Sequence, residues 1–108
     1  MKNFTIKALL AQYTELGWRY SIWRSTKSGT PANGGKAGTA PARVGMVEQV
    51  AGEAVICSHG FHATNQPWNW KGERWWIVAL KEPVIEQEDK LCSTQRKIVA
   101  DLGICPWT

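Results

Sequence analysis

Between residues 56 and 80 the chain runs Ile56-Cys57-Ser58-His59-Gly60-Phe61-His62-Ala63-Thr64, then Asn65-Gln66-Pro67-Trp68-Asn69-Trp70, then Arg74-Trp75-Trp76-Ile77-Val78-Ala79-Leu80. The pattern predicts a strand, a tight turn at Gly60, a short aromatic crossover opened by Pro67, and a central strand over residues 75–80. A continuous apolar run of this length suits a strand covered on both faces, with Ile77 and Leu80 nearly buried. Pro83 ends it, because proline has no amide to give a ladder. Trp75 and Trp76 are adjacent and so face opposite ways.

The segments before this run are read by how they could pair with it. Residues 18–25 alternate, with Trp18, Tyr20 and Ile22 on one face and Arg19, Ser21 and Trp23 on the other, as a strand requires. Trp23, on the arginine side, must be either covered by another element or exposed. In residues 5–16, Ile6, Leu9, Leu10, Tyr13 and Leu16 share one face of a helix, with Asn3 or Thr5 as N-cap and Gly17 beyond the last turn. Residues 26–43 form a Gly/Pro-rich flexible loop containing Asn33-Gly34-Gly35. A short strand is expected at 44–49 and another at 54–58. After the central run come an edge strand at 84–88 and a turn at Asp89-Lys90; residues 91–102 fit a helix through Leu91, Gln95, Ile98, Val99 and Leu102, but a strand around 96–101 is the favoured reading. The tail is expected to tuck Trp107 against the core.

A chain of 108 residues supports one domain spanning 1–108. The expected class is α+β, an N-terminal helix packed on a mainly antiparallel sheet with one long loop. No run reaches membrane-spanning length, and Lys7 and Glu15 interrupt any export signal. Cys57, Cys92 and Cys105 are an odd number, expected to be reduced thiols in the cytoplasm of a host cell.

The net charge is +4 and unevenly placed. Residues 1–54 carry seven Lys/Arg and three acids, whereas residues 55–108 carry six of each. Arg19, Arg24, Lys27, Lys36 and Arg43 fall in a stretch without any acid, which favours an acidic partner. Exposed indoles would anchor that partner, and Trp23, Trp68 and Trp70 are the candidates. The expected contact residues are therefore Arg19, Trp23, Arg24, Lys27, Arg43, His62, Trp68 and Trp70. The expected partner is a protein, with nucleic acid as a further possibility. On this reading Arg24 and Arg43 lie outside the core, so reversing both charges would abolish binding and spare the fold.

Cys57-x-His59-x-x-His62 has the residue types of a zinc site, but Cys92 and Cys105 are thirteen residues apart and do not make a second close pair. No structural metal is expected. Cys57 and His59 lie too close on one strand to act as a nucleophile and its base, and no catalytic residue or cofactor is assigned.

Gly60-Phe61-His62-Ala63, with Cys57 upstream and Asp89-Lys90-Leu91-Cys92-Ser93-Thr94-Gln95-Arg96 downstream, resembles an uncharacterised domain family common in phages, prophages and bacteria. Thr64 departs from the Cys or Ser usual there. The resemblance covers residues 56–102 and implies a phage setting and a small α+β fold. It suggests an accessory protein that binds a host or phage macromolecule, with inhibition of a bacterial defence system as one form of that role. More distantly, residues 60–64 are similar to the strand of ADP-ribosyltransferase folds on which a His or Arg helps to hold NAD. That likeness implies the alternative, a small NAD-binding enzyme centred on His62, with Glu82, Glu86 or Glu88 as its acid.

Overall fold

Residues 75–80 do lie at the centre of a sheet. The computed structural model describes residues 3–32, 40–56 and 59–106. In it β4 (Arg74–Lys81) is flanked along its length by β1 (Trp18–Ser25) and β7 (Gln95–Ile104), with β2 (Val47–Gln49) outside β7. All neighbours are antiparallel; Ile22 sits opposite Ile77, and Ile77 opposite Ala100. Ile77 and Leu80 are 1% and 0% exposed. A second antiparallel sheet, in the order β3 (Phe61–Ala63), β6 (Lys90–Ser93), β5 (Ile85–Gln87), packs against the first.

The expected α+β class is therefore corrected to a mostly β fold of two antiparallel sheets. Two features account for the difference. First, the helix α1 (Asn3–Leu10) has eight residues and stops well short of Leu16. Its last regular bond runs from Ala11 N–H to Lys7 O, after which Gln12 and Tyr13 donate to Leu9 and Leu10 in the tighter three-residue pattern. The chain must turn back to enter β1, and Gly17, at φ +86°, makes the reversal. Leu16 is left 96% exposed, while Tyr13 stacks on Tyr20 at 5.3 Å from outside the helix.

Second, residues 90–104 are two strands belonging to different sheets, not a turn and a single strand. β6 ends at Ser93, β7 starts at Gln95, and the chain changes sheets at Thr94. Leu91, Cys92 and Ser93 are buried together at this corner. An apolar–polar pattern two or three residues long cannot be told from the neighbouring turn by periodicity.

The first sheet has a hydrophobic cluster on each face. Trp23, Trp76, Val78, Leu80 and Ile98 meet Ala63 and Leu91 of the second sheet. On the other face Ile22, Trp75 and Ile77 are covered by Ile6, with Leu9 and Leu10 beside it. Trp75 and Trp76 thus divide between the two clusters, as strand alternation demands. The buried Trp76 indole N–H donates to Ser25 Oγ at 2.8 Å.

Of the remaining expectations, the edge strand β5 falls within 84–88, whereas the strand expected at 44–49 is β2 over its second half only, residues 44–45 being a turn. Where a strand was expected at 54–58, the described residues 54–56 form no strand, and Val55 makes an isolated bridge to His59. In the long loop, Thr26 N–H donates to Thr30 O and Ala42 N–H to Gly29 O, so its two described ends are joined. Lys36, Cys57 and Trp107 lie outside the described residues. No helix among the described residues is long and apolar enough to cross a membrane.

Candidate binding groove

The C-terminal end of β1, the start of β4 and the end of β7 meet at one end of the first sheet. Against it lies the crossover, where Pro67–Asn69 forms a single 3-10 turn. Arg24 fixes that crossover. Its guanidinium donates to Pro67 O at 2.9 Å, to Gly72 O through Nε at 3.1 Å, and to Trp70 O. Gly72 is required beside it, at φ +134°. A Cβ there would lie 2.7 Å from Ser25 O and 3.0 Å from the Cβ of Arg24.

Trp68 and Trp70 are half-buried on this fixed segment. Trp68 packs against the cluster under α1, and Trp70 against the cluster between the sheets. The remaining surface of both indoles lines a groove of about 730 Å³, with Lys27 and Lys71 exposed beside them. Cys105 also faces it; burial pushes its thiol up from the ordinary value, with Arg24 opposing, so the group is a neutral thiol at physiological pH. A second hollow of about 370 Å³ shares Lys27 and is lined by Arg43, Arg74 and Asp101. There Arg74 donates to Asp101 at 2.7 Å and to Lys27 O at 2.9 Å.

The structure brings Arg24, Lys27, Trp68 and Trp70 together, and Arg43 joins them through the neighbouring hollow. It does not bring in Arg19, Trp23 or His62. Arg19 reaches across to the second sheet and pairs with Glu86. Trp23 is 7% exposed, covered by the Arg96 guanidinium at 4.3 Å from its ring, and cannot anchor a partner. Arg24 is also 7% exposed, so its assignment as a surface contact is corrected. It serves the groove from beneath by holding carbonyls, and Arg24→Glu would disrupt the crossover rather than spare the fold. The acid-free stretch is therefore not one basic surface. Lys71, Glu73, Arg74 and Cys105 were missed, because no side-chain pattern announces which residues of an irregular crossover face the sheet end.

His62 lies on β3, half-buried, and lines neither hollow. Burial, then the positive charges of Arg96 and Lys90, hold its imidazole below the ordinary value. His59 bonds Ala51 O through Nε2 at 2.6 Å. Among the described residues no three His, Cys, Asp or Glu side chains gather as a metal site would need.

The two motifs behind the family resemblance meet in space. Phe61, His62 and Ala63 pair with Ser93, Cys92 and Leu91, and Arg96 donates to His62 O at 2.9 Å. A Cβ on Gly60 (φ +114°) would lie 2.8 Å from Ser93 O, so the motif glycine permits the close approach of these strands. Comparison with known proteins adds no relative: no family model, no curated protein and no solved structure matches the chain.

Proposed function

We propose that the chain is a binding protein, an accessory protein of a phage or prophage that engages a negatively charged host or phage macromolecule in the bacterial cytoplasm. One observation carries this reading: two indoles and two lysines line a groove whose backbone is fixed from below by Arg24. A surface already held in its binding geometry loses little conformational entropy on association. Tryptophan and arginine are also the residues on which binding energy tends to concentrate. Lys27 and Lys71 add charge that speeds encounter with an acidic partner. Inhibition of a bacterial defence system is one role such binding would serve. No observation favours the enzyme centred on His62, whose ring stands away from the groove.

The test is affinity capture from phage-infected bacterial cells with wild type, Lys27→Glu/Lys71→Glu, and Lys90→Glu as a charge control on the second sheet. A species retained by wild type and control, but lost from the groove variant and at high salt, supports the reading. Capture indifferent to both salt and the groove lysines overturns it.

A further inference from the structure

We infer that the groove and its neighbouring hollow together bind a nucleotide unit, with the base against the indoles of Trp68 and Trp70 and the phosphates toward Lys27 and Arg43. This rests on the groove being the binding face and names the chemistry it selects. The two hollows differ in character and are joined at Lys27. The groove carries Trp68 and Trp70 beside Lys27 and Lys71, and the hollow extends past Lys27 to Arg43, so a nucleotide with its base on the indoles has cations on the side where its phosphates lie. Their volumes, about 730 and 370 Å³, lie in the range of small-ligand sites, roughly 300–1,000 Å³.

The aromatic half is suited to stacking because each indole is braced from behind by a core cluster. Every base has a planar face, so a fixed indole accepts any of them. In the cationic half, Arg74 is occupied by Asp101 and Lys27 O. Arg24 is occupied by the crossover carbonyls. That leaves Lys27 and Arg43 in the hollow, where the one carboxylate, Asp101, is taken by Arg74, and Lys71 beside Glu73 in the groove; no ion pair is found for Lys27, Lys71 or Arg43 among the described residues. An acidic peptide would satisfy the cations and leave the indoles unmatched. A nucleotide satisfies both with one covalent unit. The same chemistry is offered by a free nucleotide and by a single-stranded nucleic acid.

The experiment titrates the purified protein with adenosine triphosphate, adenosine, inorganic triphosphate, a single-stranded twelve-nucleotide DNA and polyglutamate, reading tryptophan fluorescence and confirming by calorimetry. Adenosine triphosphate or the oligonucleotide is expected to bind saturably, and at least about tenfold more tightly than adenosine or triphosphate alone. Trp70→Leu, and independently Trp68→Leu, should weaken that binding by about tenfold or more, the effect of losing one stacked base. Lys27→Gln should weaken it and flatten its salt dependence. An oligonucleotide preferred over the free nucleotide identifies single-stranded nucleic acid as the source; equal or reversed preference identifies the nucleotide itself. Circular dichroism of each variant separates lost binding from lost fold, and either folded Trp variant decides the question. Binding of triphosphate as tight as that of adenosine triphosphate, or no response to either Trp change, overturns the inference. Binding of polyglutamate alone, lost in Lys27→Glu/Lys71→Glu, overturns the nucleotide while leaving the groove as the contact face.

Discussion

Arg96 is 5% exposed and has a partner on every side. It donates to Glu48 Oε1 at 3.0 and 2.8 Å and to His62 O at 2.9 Å, and lies 4.3 Å from the Trp23 ring and 5.3 Å from Phe61. One guanidinium therefore ties β2, β3 and β1 to β7. Removing it leaves a largely buried carboxylate unpaired, so Arg96→Met should cost about 3 kcal/mol or more in urea unfolding. Arg96→Lys should recover little, because an ammonium cannot reproduce the planar fork or the ring stacking. His62, beside it, makes stability depend on pH. Its folded pKa lies below the ordinary 6.5, mainly through burial, so below about pH 6.5 the unfolded chain binds more protons than the folded one. The contribution is complete above that pH and is lost as the pH falls toward the folded value. His62→Gln should remove that part of the pH slope, measured as urea midpoints between pH 7.5 and 5.

Among the elements, α1 sets apart what periodicity reveals from what it does not. Ile6, Leu9, Leu10, Tyr13 and Leu16 share a helical face in sequence, yet only Ile6 is fully buried, at 2% exposure. Ile6→Ala should cost about 2–4 kcal/mol, whereas Leu16→Ala should stay within about 0.5 kcal/mol, both by chemical denaturation. Equal effects would mean the helix continues through Leu16. The pattern of residues 75–80 was legible because burial on both faces leaves an unbroken apolar run. The second sheet was not legible as a separate sheet, because β3, β5 and β6 have three or four residues each and β3 finds its partner β6 far along the chain. The groove was half legible. Trp68 and Trp70 stood out as large aromatics on a crossover, but the burial of Arg24 depends on three carbonyls that no pattern of side chains announces.

At the scale of the molecule, the two sheets share one cluster and are joined at Thr94, with Arg19–Glu86 and Arg96–His62 O linking them further. The buried residues of the second sheet, Ala63 and Leu91, belong to that shared cluster, so thermal unfolding followed by tryptophan fluorescence and by far-ultraviolet circular dichroism should give one coincident transition. Two separated transitions would show the small sheet to be an independent unit. The pairing of β1 with β4 also has a consequence for how the protein is made. Ile22 and its partner Ile77 are about 55 residues apart. At a synthesis rate of roughly 5–20 residues per second, β1 emerges from the ribosome about 3–11 seconds before the strand that covers it. Throughout that interval Trp18, Tyr20, Ile22 and Trp23 have no sheet to join, and the nascent chain displays a sticky aromatic ribbon. Production of this protein should therefore respond to how many chaperones reach the ribosome during those seconds, and to how quickly codons 26 to 81 are read.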